Sequence, residues 1–208
     1  NVTLIAANAC KASQTLQKVV VGKNVTSIGK GAFKNCTKLS SVSISAGVTA
    51  IGNEAFRGCT SLTTVKIGSG VKTIGTAAFM GCSKLKTVTL GKNVTTIGTS
   101  AFKNCTALTK ITIPSKVTSI GNSAFYGCKK LTAVTIGSGV KKIGNEAFRG
   151  CAKLKNITIK SAKLTKVGKN ALKGIPASAK IKVPSKKLSA YQKLLKGKGQ
   201  RRTVKIRK

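Results

Sequence analysis

Cysteine is the residue type whose spacing first suggests chemistry in this sequence. Six of the seven recur at constant intervals of 23 residues, as Cys36, Cys59, Cys82, Cys105, Cys128 and Cys151. A metal site would need paired ligands such as C-x-x-C or a nearby histidine, and the sequence contains neither. Equivalent side chains of stacked repeats point in parallel directions, which disfavours disulfides between them. We therefore predict a column of small buried thiols, with no metal and no cofactor.

The two acidic residues offer little to catalysis. There is no histidine and no aspartate, so Ser-His-Asp and Cys-His arrangements are excluded. Glu54 and Glu146 are four repeats apart, which is about 19 Å at a strand spacing of about 4.8 Å and too far for a hydrolytic pair at about 5–10 Å. Each precedes an arginine by three residues, a spacing typical of an ion pair. We predict that the protein is not an enzyme.

The net charge of +37, from 39 Lys and Arg against two acids, must repel itself and gather anions. It fits either a solvated, very soluble surface or a polyanionic partner. Most of the cations are lysines, which favour diffuse attraction over geometric recognition. No specific nucleic-acid motif is present, so binding to nucleic acid would be salt-dependent and blind to sequence. No apolar run approaches the roughly 20 residues that span a bilayer.

The cysteines are positioned by a repeat with the pattern L-x-x-V-x-I-x(3)-V-x-x-I-G-x-x-A-F-x-x-C and a 23-residue period. Residues 62–67, LTTVKI, alternate apolar and polar residues as a strand does, and stacked copies would pair in parallel. We expect Gly75 and its equivalents to have positive φ, and A-F-x-x-C to form a single helical turn. A fixed period of this length predicts a solenoid whose neighbouring coils share one core.

The ends of the chain depart from the pattern. Residues 1–15 form an irregular lead-in, interpreted as a degenerate repeat with Ala7 in the phenylalanine position and three extra residues before Leu16. Residues 16–183 form the solenoid, with one residue inserted between 159 and 164. Residues 184–208 are predicted to be a cap with a helix over 185–196, Ser185 as its N-cap, Gly197 as its stop and a last short strand.

The exposed side of the strands is the candidate binding site. With Leu, Val and Ile turned inward, the residues on either side of Val must point outward. One column is Ser43, Lys66, Thr89, Thr112, Thr135 and Thr158, and the other is Ser41, Thr64, Thr87, Lys110, Ala133 and Asn156. This hydroxyl-rich strip suits a ligand-binding face, although threonine is also simply favoured on exposed strands.

The motifs L-x-x-V-x-I, V-x-x-I-G and A-F-x-x-C at this period resemble the BspA-like class of bacterial leucine-rich repeats over residues 16–183. The segment VPSKKLSAYQKLLKGKGQ looks like the end-caps of such proteins. The resemblance implies an α/β repeat fold: a curved, right-handed leucine-rich-repeat solenoid with a concave parallel β-sheet. It also implies a bacterial protein that is secreted or attached to the cell surface and adheres to host or microbial ligands.

Three functional hypotheses follow. The first is a non-enzymatic, cell-surface or secreted protein that presents a binding face to an extracellular protein or glycan. The second is a basic protein that attracts polyanions, whether acidic or sulfated glycan, teichoic acid or nucleic acid, by diffuse electrostatics. The third is a passive structural repeat without a specific partner.

Overall fold

A computed structural model describes residues 2–208, which wind into a parallel β-solenoid with two strand-bearing sides, one of short strands in a single sheet and one of longer strands in two hydrogen-bonded parts, here together called the long-strand sheet. The long-strand sheet consists of β2 (Lys18–Val21), β4 (Ser41–Ile44), β6 (Thr64–Ile67), β8 (Thr87–Thr89), β10 (Lys110–Ile113), β12 (Ala133–Ile136), β14 (Asn156–Ile159), β16 (Lys180–Lys182) and β17 (Lys205–Arg207). The short-strand sheet consists of β1 (Leu4–Ile5), β3 (Ser27–Ile28), β5 (Ala50–Ile51), β7 (Thr73–Ile74), β9 (Thr96–Ile97), β11 (Ser119–Ile120), β13 (Lys142–Ile143) and β15 (Lys166–Val167).

Both sheets keep the repeat in register. In the long-strand sheet Val42 pairs with Val65, and in the short-strand sheet Ile51 pairs with Ile74, so equivalent residues of successive coils lie side by side. Strand β6 alternates exposed and buried residues along its length, as the sequence pattern predicts. Because a single coil has no second layer to cover its apolar side chains, burial comes from the coils on either side.

Six phenylalanines form one continuous stack through the core. The ring centroids of successive phenylalanines lie 5.1–5.3 Å apart, and the ring planes differ by 2–8°. This spacing follows from the distance between paired strands and lies in the favourable range for offset aromatic pairs. The rings of Phe56, Phe79, Phe102 and Phe125 are fully buried. The predicted inward column of apolar side chains is confirmed.

The glycine that follows each inward isoleucine does not have positive φ, so that prediction is wrong. Its role is close approach between coils: a Cβ on Gly98 would lie 2.7 Å from the carbonyl carbon of Gly75. Positive φ occurs instead two residues later, at Ala77 (φ 55°) and Ser100 (φ 55°), and again at Gly81 (φ 76°). The residues near Ala77 therefore carry the left-handed geometry, which costs a non-glycine residue energy.

The A-F-x-x-C segment is a series of tight turns and not the predicted helical turn. The N–H of Phe79 donates to the carbonyl of Ala101 in the next coil (2.8 Å), whereas the N–H of Cys82 donates to the carbonyl of Phe79 (3.3 Å). The left-handed residues break the helical path, so alternate N–H groups turn toward the neighbouring coil. Phe79 and Cys82 are nevertheless both buried, as predicted.

The lead-in keeps the 23-residue register, which corrects its predicted alignment. Ile5 pairs with Ile28, and the N–H of Cys10 donates to the carbonyl of Ala32 as the N–H of Phe33 does to Ala55. Cys10, not Ala7, therefore occupies the phenylalanine position. No extra residues separate this coil from the next, because positions 10 and 16 are each 23 residues before their equivalents, 33 and 39.

The C-terminal end contains the predicted insertion. Lys142 pairs with Lys166, a spacing of 24 residues, whereas Ala133 pairs with Asn156 at 23. The inserted loop is fastened by the buried Tyr191, whose hydroxyl donates to the carbonyl of Ser161 and accepts the N–H of Leu164, both at 3.0 Å. The cap is thereby fixed to the last coils by buried polar contacts as well as by apolar packing.

The cap contains the predicted helix and strand with one correction. A 3₁₀ turn over Ser185–Lys187 precedes the helix α1 (Leu188–Leu195), and no side chain caps either segment, so Ser185 is not an N-cap. Gly197 follows the helix with φ 71°, as expected of a helix stop. Strand β17 pairs in parallel with β16 and continues the long-strand sheet. The boundary at residue 184 stays a prediction.

The long-strand sheet is interrupted between β8 and β10, and Pro114 explains where. At the equivalent position the N–H of Lys160 donates to the carbonyl of Ile136 (2.9 Å), a bond that proline cannot make. Ser45 and Lys160 at the equivalent positions carry a Cβ, and their strands still pair with the preceding coil. The missing N–H of Pro114 is therefore the difference that accompanies the division of the sheet into four and five strands.

Candidate binding face

The outward face is the solvent-facing side of the long-strand sheet, and the predicted site residues lie on it. Ser43, Thr64, Lys66, Thr87, Thr89, Lys110, Thr112 and Asn156 are exposed, while Ser41, Thr135 and Thr158 are half-buried. Cross-strand register brings Ser41, Thr64 and Thr87 into one row, and Thr112, Thr135 and Thr158 into another. The placement of these side chains follows the sequence prediction; their binding role stays a prediction.

Hydroxyls on the outward face are free of internal hydrogen bonds, unlike several threonines just before the strands. Just before the strands, Thr63 and Thr132 donate to the carbonyls of Ser40 and Thr109 in the preceding coil, both at 3.0 Å. Within residues 2–208, the side chains of the predicted face residues make no such bond. Their donors and acceptors are therefore available to a ligand.

The two predicted rows are not continuous along the solenoid, because the sheet is interrupted between β8 and β10. The interruption opens a cleft of about 570 Å³ whose lining includes Val88, Leu90 and Ile111, with Lys92 and Lys110 among its polar residues. Leu90 is half-buried there, whereas the equivalent isoleucines of the other coils are buried. The outward face thus has an N-terminal part and a C-terminal part.

Four cations that the sequence analysis left out extend the outward face at its C-terminal end. Lys180 and Lys182 on β16 continue the two columns, and Lys205 and Arg207 on β17 continue them once more. All four side chains are exposed. In the sequence, Ile181, Val204 and Ile206 alternate with charged residues, which indicates that these cations face outward. The parallel pairing of β17 with β16 was needed to show that the cations align with the two columns.

The six cysteines spaced at 23 residues form the predicted column of buried thiols, whereas Cys10 is half-buried in the phenylalanine column; all seven are free in the described part of the chain. The Sγ of Cys82 donates to the carbonyl of Phe56 (3.2 Å), and the other column members repeat this bond. Burial raises the pKa of Cys59 and of Cys151 to about 12. Such thiols remain protonated near neutral pH and are poor nucleophiles and metal ligands.

The two glutamates form ion pairs with neighbouring cations. Glu54 Oε1 accepts from Arg57 Nη1 (2.9 Å) and Oε2 from Lys34 Nζ (2.6 Å), and these hydrogen bonds, led by that of Lys34, lower the pKa of Glu54. Glu146 pairs with Arg149 in the same way, as predicted. Residues 2–208 hold no cluster of three potential metal ligands. These carboxylates therefore stabilise the turns locally and leave 36 of the 39 basic residues without an acidic partner in the described chain.

Comparison with known sequences decides the family. The sequence model of the BspA type leucine rich repeat region matches residues 3–132 and 118–207, with six copies. The chain belongs to this family. A search of the curated proteins finds no match. Among residues 2–208, no helix has the length and apolarity required to cross a membrane.

Solved bacterial structures share the fold of this BspA-type chain. A leucine-rich repeat protein of T. pallidum is 26% identical with a TM-score of 0.76, over 92% of this chain and 87% of that one. A leucine-rich cell surface protein of Faecalibacterium prausnitzii is 29% identical with a TM-score of 0.51, over 88% and 64%. The pneumococcal vaccine antigen PcpA is 22% identical with a TM-score of 0.68, over 99% and 59%, a likeness of fold alone.

Proposed function

We propose that this chain is a non-enzymatic binding protein of the bacterial cell surface or of the secreted fraction, with the outward face as its contact surface for an extracellular protein or glycan. The observation that carries the proposal is the set of outward-facing side chains that make no hydrogen bond within residues 2–208. Strands β4, β6 and β8 hold one part of this set at fixed spacing, and β10, β12 and β14 hold the other. A rigid sheet holds its polar groups in place before the ligand arrives, which lowers the entropic cost of binding.

Two further observations support this proposal. The thiols of the cysteine column are buried and both carboxylates are ion-paired, which leaves the exposed side chains of the sheet as the main groups available to a partner. A structural neighbour with 29% identity is a cell surface protein, which supports a similar location for this chain. Adhesion is the activity that fits a surface-exposed protein with an extended polar face and no catalytic constellation.

The test removes hydroxyls without changing shape or charge. The variant Thr112→Val/Thr135→Val alters the outward face, and Thr73→Val/Thr96→Val alters the short-strand sheet as a matched control. Binding to immobilised mucin and collagen is measured at about 0.15 M and about 0.5 M salt. We expect only the face variant to bind more weakly, at both salt concentrations. Equal binding by both variants and the parent protein would refute a role for this face.

A second candidate function is polyanion binding, which the 36 basic residues without an acidic partner in residues 2–208 favour. In its diffuse form this function predicts similar binding to heparin, teichoic acid and DNA and a steep loss of affinity with salt. Binding that survives about 0.5 M salt would favour the adhesin over the diffuse electrostatic mechanism.

A further inference from the structure

The C-terminal end of the outward face carries a compact group of four cations, here called the cation quartet: Lys180, Lys182, Lys205 and Arg207. Parallel pairing of β16 with β17 sets Lys180 beside Lys205 and Lys182 beside Arg207. Backbone spacing puts these pairs about 5 Å apart across the strands and about 7 Å apart along them. All four side chains are exposed and have no acidic partner in the described chain.

This arrangement opposes the stability of the sheet. Like charges directly opposite one another on adjacent strands are destabilising, and the quartet contains two such pairs. Elsewhere the two columns hold mostly serine, threonine, alanine or asparagine, and a cation such as Lys66 or Lys110 has an uncharged residue on its paired neighbour. The quartet therefore departs from the mostly uncharged composition of the rest of the two columns, and an anionic ligand would relieve its repulsion.

The quartet lies at the end of a row of hydrogen-bonding side chains. Thr112, Thr135 and Thr158 lead directly to Lys182 and Arg207 in one column of paired strands. The five positions span about 19 Å at the usual strand spacing. The row thus offers hydroxyl groups followed by cations in a straight line, which matches a linear polymer that bears both hydroxyl and anionic groups.

We propose that the cation quartet and the adjoining hydroxyl row bind a linear acidic polysaccharide lying along the axis of the solenoid. This inference rests on the proposed function, since it specifies the ligand class of the same face. The anionic groups contact the quartet, and the sugar hydroxyls contact the threonine row. Nucleic acid fits less well because base stacking needs exposed aromatic rings. The phenylalanines form the core, Tyr191 is buried, and Tyr126 lies on a turn between Lys103 and Arg149.

The test compares two variants with equal net charge. The quartet variant is Lys180→Gln/Lys182→Gln/Lys205→Gln/Arg207→Gln. The control replaces four exposed lysines away from the outward face, at positions 30, 72, 84 and 141, with Gln. Each variant loses four positive charges from +37, which gives 37 − 4 = +33. Equilibrium binding to heparin and to single-stranded DNA is measured over a range of salt concentrations, and circular dichroism verifies that each variant is folded.

We expect the quartet variant to bind heparin about 100-fold more weakly at about 0.15 M salt and to lose about three units of salt slope, as the removal of four ionic contacts implies. The control should lose less than about threefold, because charges beyond the Debye length of about 8 Å are screened. We also expect the parent protein to bind heparin more tightly than DNA.

Equal losses in the quartet variant and the control would overturn the inference in favour of diffuse attraction. Equal binding of DNA and heparin, both abolished by the quartet variant, would also overturn it, because the site would then respond to charge alone. If heparin binding is independent of the quartet while mucin or collagen binding still requires Thr112 and Thr135, the inference fails and the proposed function stands.

Discussion

Removal of one ring from the middle of the phenylalanine stack tests the shared core directly. Phe102 is fully buried, and its ring centroid lies 5.2 Å from that of Phe79 and 5.3 Å from that of Phe125. Truncation to alanine removes buried area, leaves a cavity and breaks both ring contacts. Measured Phe→Ala substitutions in cores cost about 3–5 kcal/mol, and we expect Phe102→Ala to reduce the free energy of unfolding by that amount.

Phe33 supplies an internal comparison because it has one ring partner instead of two. It stacks on Phe56 at 5.1 Å, and Cys10 occupies the equivalent position on its other side. One aromatic pair is worth about 0.5–1.5 kcal/mol beyond its buried area, so Phe33→Ala should cost less than Phe102→Ala by about that amount. The lower cost also follows from its place near the end of the array, where fewer coils depend on it.

The assay is urea denaturation followed by far-ultraviolet circular dichroism, with Lys66→Ala as a surface control. The exposed Lys66 makes no ion pair with any residue of the described chain, so its replacement should change the free energy of unfolding by less than about 0.5 kcal/mol. A loss below about 1 kcal/mol for Phe102→Ala would refute the stacked core. A loss for Phe33→Ala that equals or exceeds that for Phe102→Ala would refute the sharing of stability between coils.

Three further outcomes are expected. Burial raises the pKa of Cys59 and Cys151 to about 12 from 9.0. Because the unfolded chain loses these protons first, their contribution to the free energy of unfolding is fully present below pH 9 and is lost as the pH rises toward 12. Above pH 9, urea titrations of the parent protein should record a fall in the free energy of unfolding, to which each of these thiols contributes about 1.4 kcal/mol per pH unit. The Cys59→Ala/Cys151→Ala variant should lack these two contributions, and a fall as steep as that of the parent would contradict the burial of the thiols. Gly98→Ala should destabilise by about 1–3 kcal/mol or more, because its Cβ would overlap the preceding coil; a neutral result in thermal unfolding would contradict the close approach. Pro114→Gly should close the gap between β8 and β10 and slow amide hydrogen exchange in Lys110–Ile113. Faster or unaltered exchange would show that Pro114 does not cause the gap.

The inward residues could be predicted from the sequence because their chemistry repeats. Leu62, Val65 and Phe79 are apolar at spacings that return in the regular repeats of residues 16–153, and stacking is the arrangement that buries them all. The same alternation predicts that Thr112 and Thr135 face outward, since the two sides of a strand alternate. The Glu146–Arg149 ion pair was equally predictable, because it depends on residues only three positions apart.

The features missed by sequence analysis depend on contacts between coils. Gly98 resembles a turn glycine in sequence, yet its small size serves an approach to Gly75 from the neighbouring coil. Cys10 belongs to the phenylalanine column, as the pairing of Ile5 with Ile28 and the hydrogen bond from Cys10 to Ala32 show. Ser185 looks like an N-cap, but the preceding Pro184 leads instead into a 3₁₀ turn. Local pattern alone could not distinguish these alternatives.

The sequence by itself determined the period, the identity of the buried column and the absence of the residues that most catalytic sites need, because each depends on residue type and on spacing along the chain. The tertiary structure decided the division of the sheet at Pro114 and the convergence of Lys180, Lys182, Lys205 and Arg207. Those outcomes depend on which strands become neighbours and how closely they approach. Pairing across coils is fixed by the packing of the whole stack, so residues 25 positions apart can meet in one site.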